Sequence, residues 1–336
     1  MNNPPTNPAK PASESSAQSS GGFGLLNSIY YLLKPLLPLR VRYSIRRIRA
    51  HYKLRISSDW PIMESAARPP AWWKGWPDGK KFAVVLTHDV EGQTGYERCR
   101  ELAALEARIG FRSSFNFVPE GEYRLERDLL DELTGAGFEV GVHDLRHDGS
   151  LYRSKRAFFD SARSINHYLR EWGAVGFRAG FMFHNLEWLK ALDVEYDAST
   201  FDTDPFEPQP EGVGTIFPFW VPDAARGRGY VELPYTLPQD STMFLIFREK
   251  AVDVWKRKLD WLASNGGMVL LNVHPDYLAF QDRTLDISEF PAAYYEEFLT
   301  YIREKYAGQY WHALPRDVAR YVRKKYVAAD GSGPVD

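Results

Sequence analysis

From Lys81 onward, short apolar runs of strand length alternate with longer segments of helical spacing. This alternation constrains the fold more than any other feature of the 336-residue chain. Lys81–His88 (KFAVVLTH) is a β-branched apolar run, the pattern of a buried strand. Tyr96–Ile109 has helical spacing, Arg112–Val118 reads as a strand, Leu125–Ala136 as a helix ended by Gly137, and Phe138–Val142 as a strand. Leu151–Trp172 predicts a long helix, followed by short strands at Val175–Phe177 and Val194–Ala198. Ala251–Ser264 predicts a helix stopped by Gly266 and Gly267, Met268–Val273 another buried strand, and Phe290–Tyr306 a helix. Pro315 opens the last helix at a favoured first-turn position. Such alternation predicts a parallel sheet with helices outside it, closed into a barrel-like α/β arrangement.

In barrels of this kind the chemistry sits at the C-terminal ends of the strands. The polar residues fall there. Asp89 and Glu91 follow the first strand, His143 and His147 the third, Arg178 a later one and His274 the last strong one. Residues two apart in an extended chain face the same way, so Asp89 and Glu91 share one site while His88 and Val90 turn away. Two such carboxylates can divide the labour, one holding a metal and one acting as a base. His143 and His147 stand i, i+4 in Gly-Val-His-Asp-Leu-Arg-His, which on a helical turn puts both imidazoles within reach of one cation. A catalytic zinc-type site takes three protein ligands and keeps a position for water. Two histidines with one carboxylate, Glu91 or Asp89, complete that set. Arg178, in Gly-Phe-Arg-Ala-Gly, is either half of a structural ion pair or the residue that orients a carboxylate.

The order of these residues resembles the polysaccharide deacetylases with the NodB homology domain, carbohydrate esterase family 4. Leu-Thr-His-Asp-Val-Glu (86–91) looks like the family's first motif, usually Thr-Phe-Asp-Asp. His143-Asp-Leu-Arg-His147 matches the second, His-Ser/Thr-x-x-His, and Phe177-Arg178-Ala179-Gly180-Phe181 resembles the third, Arg-x-Pro-Tyr/Phe. Tyr196-Asp197-Ala198-Ser199 is a looser match to the fourth, and Leu271-Asn272-Val273-His274 resembles the fifth, Leu-x-His. The resemblance covers about residues 80–320. It implies a distorted (β/α) barrel of the polysaccharide deacetylase type with an N-terminal helical extension. It also implies Asp89 as general base, Glu91, His143 and His147 as ligands of a divalent metal of the Zn2+ kind, Arg178 as the residue orienting Asp89, and His274 as general acid with Asp197 as its partner. The chain departs from the pattern in three places: Asp-Val-Glu replaces adjacent aspartates, Gly180 replaces proline, and the fourth motif's tryptophan is absent. Asp202 and Asp204 are rivals to Asp197.

The implied activity is removal of an N-acyl group, N-acetyl first, from a sugar of a polysaccharide or of its lipid- or nucleotide-linked precursor. Trp188, Trp220, Tyr235 and Phe244 are candidate stacking faces for that sugar. Rival readings are a deformylase, an allantoinase-like amidohydrolase on the same barrel, and a non-catalytic carbohydrate-binding relative. A net charge of −2 gives no sign of a nucleic-acid partner. Cys99 is the only cysteine, which excludes an intramolecular disulfide and a multi-thiolate zinc site.

The predicted organisation is a disordered tail (1–22), an apolar and basic helical extension with a linker (23–79), the catalytic domain (80–328) and a flexible tail (329–336). The start of the chain lacks a secretory pattern, which predicts a cytoplasmic protein. Residues 23–39 are strongly apolar but interrupted by Lys34 and Pro35, and shorter than a bilayer-spanning helix needs. Arg40, Arg42, Arg46, Arg47, Arg49, Lys53 and Arg55 follow. That order suits peripheral contact of residues 23–55 with the inner face of a membrane. It equally suits a helix pair packed on the catalytic body.

Overall fold

The computed structural model describes residues 39–281 and 283–330. The tail expected at 1–22, the apolar segment up to residue 38 and residues 331–336 lie outside the described residues. The chain divides into two compact units, Met1–Ile45 and Arg46–Asp336. Residues 39–45 of the first are helical and begin α1 (Leu39–Ile56). Among the described residues no helix is long and apolar enough to cross a membrane.

The second unit is the alternating body. In chain order it contains β1 (Phe82–Val90), α2 (Gln93–Ile109), β2 (Ser114–Phe117), α3 (Arg127–Gly135), β3 (Glu139–His143), α4 (Lys155–Trp172), β4 (Gly176–Arg178) and the short α5 (Leu186–Leu189). There follow β5 (Tyr196–Asp197), the antiparallel hairpin β6 (Phe219–Asp223) and β7 (Arg228–Glu232), α6 (Asp253–Ser264) and β8 (Met268–Asn272). The short pair β9 (Leu278–Ala279) and β10 (Phe290–Pro291), then α7 (Ala292–Lys305), β11 (Tyr310–His312) and α8 (Pro315–Asp330) complete it. α8 runs through residues 329 and 330, which had been expected in the tail. Each expected strand and helix forms within a few residues of its predicted ends. The long helix starts at Lys155 rather than Leu151 because Ser154 caps it, its Oγ accepting from the Ala157 N–H at 3.1 Å.

β1 is buried along its whole length and pairs in parallel with three strands: β11, β8 and, through residues 87–90, β2. The sheet then runs β2-β3-β4-β5-β7, all parallel, with β6 added antiparallel at the edge. The ring is closed by a loop rather than a strand. Beyond β7, the Thr236 and Leu237 N–H groups donate to the Leu270 carbonyl of β8 at 3.1 and 3.2 Å. Thr236 Oγ1 also donates to the Met268 carbonyl at 2.8 Å. This is a distorted α/β barrel.

Strand alternation divides the side chains. Ala83, Val85, Tyr196, Val231 and Leu270 fill the interior, while Val142 and Phe177 face outward onto Phe158, Ile165 and Leu169 of α4. Trp72, Trp73 and Trp76, in the segment expected as a linker, form the barrel's floor. Trp73 and Trp76 meet at 4.6 Å between ring centroids, and Trp76 Nε1–H donates to the Gly266 carbonyl at 2.8 Å.

Candidate active site and metal centre

The inward parity of β1 brings Asp89 to the open end of the barrel, where it is almost wholly buried. Its carboxylate is held from both flanking strands. Asn116 Nδ2 on β2 donates to Oδ1 at 2.9 Å, and Asn272 Nδ2 on β8 donates to Oδ2 at 2.8 Å. Arg178 Nη1, at the tip of β4, stands 3.5 Å from Oδ2, while its Nε–H donates to the Ala198 carbonyl at 2.9 Å. Burial opposes the Asp89 charge. The positive field of Arg178, with that of His274 and the Asn116 bond, outweighs it and holds the carboxyl well below its ordinary range.

Glu91, His143 and His147 converge, each offering one ligand atom, with those atoms all within 4.8 Å of one another. They do not do so through a helical turn. β3 ends at His143, and Asp144 and His147 both adopt left-handed φ values of 56° and 55°. This bend, rather than the expected helical i, i+4 face, brings the two imidazoles to 4.9 Å between centroids. His143 Nδ1–H donates to the Arg178 carbonyl at 3.1 Å, which leaves Nε2 as the lone-pair nitrogen. That Nε2 is buried and has no hydrogen-bond partner among the described residues. A buried polar atom left bare is costly unless it ligates something. His147 Nε2 lies 3.2 Å from Glu91 Oε1, and the Tyr277 hydroxyl donates to Glu91 Oε2 at 2.8 Å. Two neutral-capable imidazoles and a carboxylate are a donor set suited to a divalent ion of the zinc type. The residues therefore fit a metal, and Glu91 rather than Asp89 is the carboxylate grouped with His143 and His147.

The departure at the third motif fits the residue that stands inside the second. Asp144 stands at the Ser/Thr position, and its Oδ2 accepts the Gly180 N–H at 3.1 Å. A Cβ at residue 180 would stand 2.5 Å from Asp144 Oδ2 and 2.9 Å from His147 Cδ2. Proline there would both collide and remove the N–H. Phe181 then stacks on His147 at 4.7 Å.

His274 completes the mouth, with Nε2 at 3.7 Å from Glu91 Oε1. Its expected partner was Asp197, and the geometry corrects this. Asp240 Oδ1 lies 2.7 Å from His274 Nδ1, and Asp240 Oδ2 accepts the His274 N–H at 2.7 Å. Burial disfavours the His274 charge, but Asp240 overrides it and, with Glu91 and Asp89, raises the imidazole to about 10. Asp197 is the register partner of Phe177 and so faces outward, where Ser199 Oγ donates to it at 2.7 Å. The rivals are also engaged elsewhere: Asp202 with Lys258 at 2.8 Å, and Asp204 with the Tyr235 hydroxyl at 2.9 Å. The proposed stacking aromatics do not line the site either. Tyr235 and Phe244 are buried in the core, Trp188 stacks on Tyr152, and Trp220 stacks on Tyr326.

Asn116, Asp240, Asp276 and Tyr277 were not foreseen. Asp276 accepts the Glu91 and Gly92 N–H groups, both at 2.9 Å, at the start of α2. It sits there because Gly95 has no Cβ to meet it. His88 does turn away as parity requires. Its Nε2 meets Glu106 Oε1 at 2.8 Å and its Nδ1 meets the Val273 carbonyl at 2.8 Å. Asn116 was the one of these that strand parity could have found, two residues from Ser114 on an inward face.

No family model matches the sequence, and no curated protein matches it. Solved structures do. A protein from Mycobacterium smegmatis assigned as a polysaccharide deacetylase superposes with a TM-score of 0.55 at 19% identity, over 77% of this chain and 96% of that one. Puue allantoinase superposes with a TM-score of 0.57 at 16% identity, over 80% of this chain and 96% of that one. The chain has the NodB-type (β/α) barrel fold of the polysaccharide deacetylases.

Proposed function

We propose that the chain is a metal-dependent hydrolase that removes the N-acetyl group of a sugar, in a polysaccharide or in its lipid- or nucleotide-linked precursor. The observation that carries this is the bare, buried His143 Nε2, grouped with Glu91 and His147 at the barrel end that also holds Asp89 and His274. A divalent ion held by Glu91, His143 and His147 would supply Lewis-acid polarisation of the acyl carbonyl. Asp89, kept ionised by its neighbours, takes the proton of the attacking water. Arg178, Asn116 and Asn272 fix the direction of that carboxylate. His274, whose Nδ1–H is donated to Asp240, carries its second proton on Nε2 and gives it to the departing amine, which cannot leave as an anion. The carbohydrate reading draws on the fold shared with the polysaccharide deacetylase, and the allantoinase neighbour makes a small ureide the alternative to be tested beside it.

The test is metal analysis of the purified full chain, with acetate release from a panel of N-acetyl sugars and sugar oligomers, before and after chelation. Formate release from N-formyl sugars and cleavage of allantoin run alongside. The expected result is about one divalent ion per chain and acetate release that chelator abolishes and Zn2+ restores. Full activity in metal-free protein, or cleavage of allantoin with no release from any N-acyl sugar, would sink the proposal.

A further inference from the structure

The N-terminal part of the chain carries a surface that the hydrolase reading does not use. Within the second unit, residues 46–56 of α1 are docked by one face. Ala50 is buried, Arg47 Nη2 donates to the Leu245 carbonyl at 2.9 Å, and Lys53 Nζ donates to the Pro205 carbonyl at 2.5 Å. The docking site lies on the loops that follow β5 and β7, and the second of these loops also contains Asp240. Below the helix, Trp60, Phe206 and Phe247 pack edge to face.

The opposite face is apolar and open. Ile48, Tyr52 and Ile56, spaced i, i+4, i+8, are 71%, 59% and 68% exposed. Three large apolar side chains on one helical line are an unusual surface for water. Exposed Arg49 and Arg55 border the line, and α1 contains no acidic residue at all. Immediately before it in sequence come residues 23–38, in which Lys34 is the single charged residue among sixteen. An apolar line bordered by arginines, next in sequence to a long apolar segment, suits a bilayer with anionic headgroups, because its acyl boundary takes the apolar side chains and its phosphates take the guanidinium groups.

We propose that this face docks the protein peripherally on an anionic lipid bilayer, with residues 46–56 lying in the plane of the interface. The helix is gripped by the rim that carries Asp240, so docking holds the barrel's open end on the membrane side and suits a lipid-linked substrate.

The experiment is flotation of the full chain with vesicles of phosphatidylcholine alone and of phosphatidylcholine mixed with phosphatidylglycerol. Two variants are compared, Ile48→Glu/Tyr52→Glu/Ile56→Glu and Arg49→Gln/Arg55→Gln, each checked for an unchanged thermal transition. The expected result is binding to the mixed vesicles, at least about tenfold weaker binding to phosphatidylcholine, and a loss of about tenfold or more in each variant. Added salt weakens the wild type. Unchanged binding by both variants overturns the proposal and assigns attachment to another segment, residues 23–39 included. Absence of binding with self-association in ultracentrifugation, abolished by the triple variant, overturns it in favour of a second copy. None of these readouts depends on hydrolysis, so failure here is distinguishable from failure of the enzymatic reading.

Discussion

Asp89 and Asp197 are both aspartates near the C-terminal end of a parallel strand, and both are buried, yet they live in opposite electrostatic worlds. Asp89 points into the barrel, is bonded by two amides, stands beside Arg178 and two histidines, and is held ionised. Asp197 points outward and is set in register with Glu232 of β7. Burial pushes Asp197 up, and burial together with the neighbouring Asp197 charge pushes Glu232 well above its ordinary value. Strand parity, not depth or residue type, sets the two carboxylates apart.

The largest expected effect tests that contrast directly. Asp89→Asn lowers kcat/KM for acetate release by about 10³-fold with the fold retained, as loss of a general base does. Asp197→Asn stays within about twofold of wild type, within the neutral range for a residue off the reaction path. Steady-state kinetics with thermal melts on both variants decide it, and equal losses would break the parity argument. Next in size is Asp240→Asn, which keeps much of the shape but removes the charge that fixes His274. A loss of about 10²-fold in kcat with KM little changed is expected. A kcat equal to wild type would detach His274 from Asp240.

The contrast also explains what could be read from the sequence. The barrel was legible because Lys81–His88, Phe138–Val142 and Met268–Val273 carry buried-strand patterns at the right spacing. Asp89, Glu91, His143, His147, Arg178 and His274 were legible because each ends such a strand or follows one closely. The β6–β7 hairpin was not, since Phe219–Asp223 contains a proline and lies at the sheet edge, and Arg228–Glu232 opens on an exposed Arg-Gly and ends on a buried glutamate. Asp240 was not legible for a different reason. It comes from a loop that leads into a π-helical turn, Ser241–Ile246, and its contact with His274 spans 34 residues with no periodicity to announce it. Asp197 had been favoured by motif order, which carries no parity. The bend at Asp144 was hidden too, because i, i+4 spacing fits a helix as well as two left-handed residues.

Gly180→Ala tests that bend. The added Cβ presses on Asp144 and His147 together, so the metal site should loosen while Asp89 and His274 keep their places. About tenfold weaker metal binding is expected, the scale seen when partners of ligating residues are disturbed, measured by competition with a chromophoric chelator. Asp144→Ser in the same chain frees part of the crowded space and should recover some of that affinity. Unaltered metal binding in Gly180→Ala would mean that His147 is positioned by Phe181 and Glu91 alone.

The smallest effect concerns stability and lies on the outward side of the comparison. The folded state raises both Asp197 and Glu232 above their ordinary values of 3.8 and 4.5. The native protein therefore keeps protons that the unfolded chain has released. Bound protons are then more numerous in the native state, so stability is complete below the ordinary carboxyl range and falls as pH rises through the folded values. Each retained proton contributes a slope of about 1.4 kcal/mol per pH unit. Glu232→Gln removes one of these titrations and leaves Asp197 beside a neutral amide. Urea melts of the two proteins across about pH 5 to 8 should diverge, the variant losing less stability than wild type as pH rises. Because the comparison is a difference between two proteins, carboxyls elsewhere in the chain cancel. Parallel stability curves would mean that Glu232 is already ionised in the fold, and the outward pair would then resemble Asp89 more closely than its parity suggests.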